Sequence, residues 1–101
     1  MNEPTSKKAI YSLELYVSGE SFISNRAIES VTSLCNEVLK GRYELKIIDL
    51  QKDPEKAVTE NIVVVPTLIR KSPEPKRQII GDLQNPKRIM RGLEIHRTSH
   101  I

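Results

Sequence analysis

The sequence predicts an α/β domain in which strands and helices alternate along the chain. Two stretches of alternating apolar and polar residues, at 10–17 and 43–50, are typical of strands, and an amphipathic helical pattern lies between them. A strand, a helix and a strand in this order form a right-handed βαβ unit with parallel strands. We therefore expect the N-terminal half of the chain to be a βαβ unit.

The 101 residues are enough for one modest core, so we predict a single domain over residues 10–95. Residues 1–9 are polar and lack the apolar core of a secretion signal, and we expect them to be a disordered lead-in. Residues 96–101 are expected to form a flexible C-terminal tail. No apolar run is long enough for a membrane span, and a lone cysteine favours a reducing cytoplasm.

The first strand and the helix after it are predicted from their apolar spacing. Every second residue of the strand is apolar, and the loop that follows contains Gly19. Ser24 is predicted to cap the helix, and Gly41 to end it in the left-handed conformation. The apolar positions of the helix are one, three or four residues apart, which is typical of an amphipathic helix: Ala27, Ile28, Val31, Leu34, Cys35, Val38 and Leu39.

Two short helices are predicted in the second half of the chain. Asp53-Pro54 and Asn85-Pro86 each place a capping residue before a proline, which favours the first turn of a helix. Each pair is therefore expected to begin a helix.

Two further strands lie between these helices. Residues 62–71, interrupted by Pro66, and residues 76–80 are joined by the proline-rich turn at 72–75, which predicts a hairpin. The complete order, βαβαββα, is that of thioredoxin. Val65-Pro66-Thr67 stands where a thioredoxin-like domain has its cis proline.

The last element is compatible with two structures. Ile89, Met90 and Leu93 fit a short helix, but residues 89–95 also alternate at strand spacing. Gly92 costs about 1 kcal/mol in a helix relative to alanine, so local preference does not choose between them. Such a pattern indicates conformational choice in this region.

The residues do not predict an enzyme. A thioredoxin-type oxidoreductase needs a Cys-x-x-Cys pair, whereas Cys35 is the only cysteine and belongs to the apolar stripe of the helix. His96 and His100 lack other metal ligands beside them, and no glycine-rich phosphate loop is present. We therefore expect no catalytic residue, no metal and no cofactor.

Positive charge is concentrated in the last third of the chain. Up to Ile69 there are 8 Lys/Arg against 10 Asp/Glu, a net −2, whereas from Arg70 onward there are 8 against 3, a net +5. Such a surface attracts an acidic protein surface or a nucleic acid. With one Phe, three Tyr and no Trp there are few platforms for stacked bases, so nucleic acid is the less favoured partner.

Five blocks carry a resemblance that extends from about residue 11 to residue 94: LELYVSG at 13–19, NRAI at 25–28, YELKIID at 43–49, PTL at 66–68 and RQIIGDL at 77–83. Together they resemble the KaiB family of cyanobacterial clock proteins and their bacterial relatives. The resemblance implies a non-catalytic regulator that docks on the N-terminal ATPase ring of KaiC, a hexameric P-loop protein, and modulates its phosphorylation, with KaiA as a further partner in a clock host. A role in stress signalling fits the family equally well.

The resemblance also implies two folds for one sequence. Family members have a resting form, usually a tetramer, in the order βαββααβ, and a binding monomer in the thioredoxin order. The two differ from about Gln51 onward, and for this chain we expect a dimer or tetramer. We expect the oligomer in its resting order to be the form observed. The C-terminal half is therefore predicted as one of these two orders.

By position, the resemblance implies partner-binding or assembly roles for Arg26, Lys46 and Arg77. Fold-switching roles are implied for Pro66, Gly92 and Glu94. The chain departs from the family at Gln78, where a second basic residue is common, and it lacks the acidic C-terminal extension of the clock proteins. Two other classes stay open: a thioredoxin-fold redox protein that has lost Cys-x-x-Cys, and a basic nucleic-acid-binding module.

Overall fold

The computed structural model describes residues 10–81 and 83–95, which form three helices and four strands. The predicted lead-in, the predicted tail and both histidines lie outside the described residues. In chain order the elements are β1 Tyr11–Val17, α1 Phe22–Val38, β2 Tyr43–Asp49, α2 Glu55–Thr59, β3 Thr67–Ser72, β4 Arg77–Ile80 and α3 Pro86–Leu93. No helix in the described part of the chain is long and apolar enough to cross a membrane.

The four strands form one sheet in the order β2-β1-β3-β4. β1 and β2 are parallel, with Leu13 opposite Leu45, as the βαβ prediction requires. β3 is antiparallel to β1, and β4 is antiparallel to β3, so these last two strands form the predicted hairpin. β2 and β4 are consequently the two edges of the sheet.

The C-terminal half has the thioredoxin-like order βαβαββα. Of the two structures compatible with residues 89–95, the helix is present, and Asn85 caps it as predicted by accepting a hydrogen bond from the backbone N–H of Arg88 at 3.2 Å. The expectation that residues after Gln51 would be in the resting order is therefore wrong for this structure.

The core lies between one face of the sheet and the helices α1 and α3. Side chains alternate across a strand, so every second residue of β1 points to this face, and the α1 stripe meets them there. The predicted apolar positions Ala27, Val31, Leu34, Cys35, Val38 and Leu39 are all buried. Gly92 lies in the last turn of α3, where a Cβ atom would come within 2.8 Å of Ile79 Cδ1, so the missing side chain lets α3 approach β4 closely.

Helix α1 begins one turn earlier than predicted. Its cap is Ser21, whose Oγ accepts a hydrogen bond from the backbone N–H of Ser24 at 3.1 Å. Ser24 is buried in the first turn, and its hydroxyl donates to the carbonyl of Ser18 at 3.4 Å. Serines three residues apart all offer a capping oxygen, so spacing alone did not identify the right one. Gly41 has the predicted positive φ of +76°, although the helix itself ends at Val38.

Two boundaries in the second half also differ from the prediction. β3 begins only at Thr67, and Val63, predicted to lie in that strand, is 82% exposed in the preceding loop. A proline has no N–H for the ladder, so pairing starts after Pro66. At α2 the cap position belongs to Pro54 rather than Asp53.

Candidate functional site

The loop between β1 and α1 is where a thioredoxin-type enzyme would carry its cysteines. Here Ser21 and Ser24 are occupied with capping α1, and the described residues include no histidine that could activate a serine. Beside this loop the Asp49 carboxylate accepts hydrogen bonds from the backbone N–H groups of Gly19 at 2.8 Å and Gln51 at 3.0 Å. These bonds hold the pKa of Asp49 below its usual value, and through them Asp49 stabilises the turn after β2.

Cys35 lies inside the core, 1% exposed, as the helical stripe predicts. Burial raises the pKa of its thiol to about 11, so the reactive thiolate is scarce at neutral pH. In the described part of the chain, no three side chains of the metal-binding kinds lie close enough to hold an ion.

Arg26 and Pro66, predicted for partner binding and fold switching, lie beside the same groove. Pro66 lines it together with Ile23 from α1 and Gly81 after β4. The Arg26 guanidinium donates a hydrogen bond to the side-chain oxygen of Gln84, which also lines the groove, and sits 5.3 Å from the centroid of the Phe22 ring. The Val65–Pro66 peptide bond is cis.

Lys46 and Arg77 are far apart in the sheet. Lys46 is exposed on β2, opposite Glu14 of β1, whereas Arg77 is on β4 at the other edge. Three strand spacings of about 4.8 Å separate those edges. Lys46 also shares the face of Glu14 and Arg77 the opposite face, that of Arg70, so Lys46 and Arg77 do not form one basic patch.

Arg77, Gly92 and Glu94 are brought together where α3 meets β4. The guanidinium of Arg77 lies 3.1 Å from the carboxylate of Glu94, and both side chains are partly exposed. Glu94 follows the helix in the left-handed conformation, with φ +53°. The N–H of Ile95 donates to the carbonyl of Met90 at 2.8 Å, which closes α3 with a Schellman motif.

Arg70 is a structural residue that the sequence analysis missed. It is 4% exposed, and its guanidinium donates to the carbonyls of Leu93 at 2.7 Å, Glu94 at 3.2 Å and Pro75 at 2.7 Å. The buried cation thus occupies the negative end of α3 and ties it to the hairpin loop. Its alternation with Leu68 in β3, which points it to the helical face, was the signal available in the sequence.

A charged network on the opposite face of the sheet was also missed. Lys71 Nζ lies 3.0 Å from the carboxylate of Glu60, at the end of α2, and 3.9 Å from that of Glu14 on β1. The hydroxyl of Tyr16, which is buried on this face, donates a hydrogen bond to the Glu14 carboxylate at 2.6 Å. Burial is the main cause that raises the pKa of the Tyr16 hydroxyl, and this hydrogen bond is the second. The network fastens α2 to the sheet.

Comparisons with solved structures identify the fold of this chain. The structure of the N-terminal domain of Synechococcus elongatus SasA is similar with a TM-score of 0.72 and 19% identity, covering 95% of this chain and 94% of that one. Mitochondrial thioredoxin 3 of Saccharomyces cerevisiae is similar with a TM-score of 0.67 and 16% identity, covering 87% and 80%. These likenesses show the thioredoxin-like fold.

The sequence comparisons are more specific. The circadian clock protein KaiB3 of Synechocystis sp. is 41% identical over 83 residues, which are 82% of this chain and 81% of that protein. The circadian clock oscillator protein KaiB of Thermostichus vulcanus is 40% identical over 85 residues, or 84% and 79%. The family model described as the KaiB domain matches residues 14–95, from the strand that bears Glu14 to the end of the Schellman motif. The chain therefore belongs to the KaiB family.

Proposed function

We propose that this protein is a non-catalytic clock or stress-signalling regulator that docks on the N-terminal ATPase ring of a KaiC-like protein and modulates its phosphorylation. The observation that carries the proposal is the KaiB-domain match over residues 14–95, with relatives named as circadian clock proteins. The thioredoxin-like order of the structure is the one that the family resemblance implies for the binding monomer, which supports docking by this conformation. In a clock host, KaiA is a further partner in the proposal, and the compartment is the cytoplasm.

Arg26, Lys46 and Arg77 are the proposed contact residues. Arg26 and Lys46 are exposed, and Arg77 is partly exposed at the edge of the sheet. Since Lys46 shares the sheet face of Glu14 and Arg77 the opposite face, that of Arg70, one flat partner surface does not reach both. We therefore assign Lys46 and Arg77 to separate contacts, one with the ATPase and the other with a second copy of the chain.

The second state in the proposal is a homo-oligomer, a dimer or tetramer, in which residues after Gln51 are rearranged. Pro66 precedes the first strand of that segment, and Gly92 and Glu94 end it. The C-terminal end of the segment is held by specific contacts, Gly92 against Ile79 and Glu94 with Arg77, so both residues affect the balance between the two orders.

The docking proposal is tested with the full chain and the KaiC-like hexamer of the same host, purified and mixed with ATP. We expect a complex on size-exclusion chromatography with light scattering, and at least about tenfold weaker binding for Arg26→Glu, a loss of about 1.4 kcal/mol. Lys40→Glu, which changes another exposed cation just after α1, is the matched control and should bind normally. No complex with the unaltered chain would refute the proposal.

The redox alternative has less support than the regulatory one. The one thiol of the chain, that of Cys35, is buried in the core, and burial raises the pKa of that thiol to about 11.

A further inference from the structure

Helix α2 and the turn that ends it, residues 54–62, lie on the sheet without a fully buried residue. Every residue in this range is exposed or partly exposed, whereas α1 and α3 both place side chains in the core. The loop that follows is also open to solvent, since Val63 is 82% exposed. We call residues 54–62 the α2 strap. A segment with so little buried apolar surface opens at a lower free energy than the core does.

Buried side chains lie on the sheet face that carries the α2 strap. Tyr16 is 1% exposed and Ile69 is 0% exposed, yet neither belongs to the core between the sheet and the helices α1 and α3. Ile69 is opposite Glu14, and Tyr16 is two residues from Glu14, so the three side chains share one face. After burial and Glu14, the charge of Glu60 also raises the pKa of Tyr16, so the end of α2 lies near its hydroxyl. The α2 strap therefore covers Tyr16 and Ile69.

The polar contacts that hold the α2 strap to the sheet converge on the carboxylate of Glu60. Its Oε2 lies 3.0 Å from Nζ of Lys71 on β3, and its Oε1 lies 3.7 Å from Nζ of Lys76 in the hairpin loop. Lys71 also lies 3.9 Å from the carboxylate of Glu14, so two carboxylates share one cation. The side chains of Lys71 and Lys76 are 33% and 55% exposed. Dissolved salt therefore screens both contacts.

We propose that the α2 strap is a salt-sensitive cover, which detaches from the sheet when its Glu60 contacts are screened while the core stays folded. Detachment uncovers the apolar surface of Tyr16 and Ile69 and releases Lys71 and Lys76 from Glu60. The pairing of β1 with β3 and the core on the other face contain no residue of the strap, so they remain in place. This inference does not depend on the docking proposal, and it concerns one segment rather than a change in the order of elements.

Two contributions set the balance between the closed and the open strap. Covering Tyr16 and Ile69 removes apolar surface from water, which favours the closed form at any salt concentration. The contacts of Glu60 with the two lysines add a part that depends on salt, because the Debye length falls from about 30 Å at about 0.01 M to about 8 Å at about 0.15 M. Rising ionic strength therefore increases the population of the open form.

The test measures how fast tetranitromethane nitrates each tyrosine of the full chain at neutral pH, by mass spectrometry of proteolytic peptides. Tyr16 reports on the strap, Tyr11, buried in the core on the opposite face, reports on global unfolding, and the partly exposed Tyr43 is the reference for the reagent. Between about 0.02 M and about 0.5 M NaCl, we expect the rate at Tyr16 to rise at least about threefold relative to that at Tyr43. The rate at Tyr11 should not rise.

Glu60→Gln removes the charge that both lysines contact, so we expect it to show the higher rate at Tyr16 at both salt concentrations. Glu55→Gln is the matched control, because it changes an exposed carboxylate of the same helix for which the described residues show no ion pair. It should keep the salt response of the unaltered chain. A rate at Tyr16 that does not change with salt in the unaltered chain would overturn the inference. So would a salt response that persists in Glu60→Gln, or equal rises at Tyr11 and Tyr16.

Discussion

Glu94 has a left-handed backbone conformation that is usual for glycine and unusual for glutamate. The position after a helix in a Schellman motif is usually glycine, because a side chain in the left-handed region meets the following carbonyl. Glu94 has φ +53° there, and its partly exposed ion pair with Arg77 offsets only a small part of the steric free energy of this conformation. The helix end is therefore a point at which one substitution can strengthen this fold.

We expect Glu94→Gly to raise the free energy of unfolding by about 0.5 to 1 kcal/mol, because it removes the steric cost while losing a weak ion pair. Glu94→Ala is the control, since it loses the same pair and keeps the cost, so it should be slightly destabilising. Urea denaturation measures both. Equal stability of the two variants would contradict the steric explanation.

The candidate residues themselves illustrate how far sequence reasoning extends. The burial of Cys35 follows from helical spacing, and the capping of α3 by Asn85 follows from its neighbour Pro86. The contact of Arg77 with Glu94 joins two elements, so no local pattern predicts it. The separation of Lys46 from Arg77 requires the order of strands in the sheet, which periodicity does not contain.

Among the elements, α3 depends on a contact from another strand. Arg70 donates to two carbonyls at its C-terminal end and to one in the hairpin loop, all from a buried position. Removing the donor leaves the buried carbonyl of Leu93 without a partner, which costs about 1 to 3 kcal/mol. The attachment of α3 thus rests largely on a residue in β3.

We expect Arg70→Met to lower the free energy of unfolding by at least about 2 kcal/mol and to speed amide hydrogen exchange in α3 before the rest of the core. Arg91→Met, an exposed arginine on the same helix, should change stability by no more than about 0.5 kcal/mol. Uniform acceleration of exchange across all elements in Arg70→Met would show that the arginine does not act on α3 specifically.

The elements of the βαβ half were predictable, and those of the second half less so. β1, α1 and β2 have sustained periodicities of two or three to four residues, which leave little choice. Residues 62–65 are β-branched and suit a strand, yet they form an exposed loop, because strand preference depends on the surroundings of the segment. The pattern of residues 89–95 is compatible with a helix or a strand. The structure has the helix, in which Gly92 packs on Ile79.

Across the whole molecule, the two faces of the sheet are held by different interactions. The α1 and α3 face is a continuous apolar core, whereas α2, which has no buried residue, is fastened to the other face through Glu60 and Lys71. The hydrogen bond from Lys71 holds the pKa of Glu60 below its usual value, helped by the charges of Lys71 and Lys76. The two faces therefore respond differently to acid.

A lowered pKa means that Glu60 contributes stability above its ordinary pKa of 4.5, and that this contribution is lost as the pH falls through the lowered value. We expect Glu60→Gln to lose about 0.5 to 1 kcal/mol at neutral pH and to differ little from the unaltered chain at about pH 3. Denaturation at both pH values measures this. The amide protection factors of residues 55–62, which correct for the slower intrinsic exchange in acid, should fall on acidification before those of β1. A simultaneous fall in both would contradict the assignment.

The antiparallel pairing of β1 with β3 has a kinetic consequence. Tyr16 is opposite Thr67, which lies 51 residues later in the chain, whereas α1 connects β1 to β2 and a short loop connects β3 to β4. Closing so long a loop costs more chain entropy than forming either local unit. The hairpin of β3 and β4 is therefore a local unit, whereas both pairings of β1 join distant parts of the chain, with the pairing to β3 the more distant of the two. The β1–β2 pairing lies wholly within residues 11–49, so it does not depend on the pairing of β1 with β3.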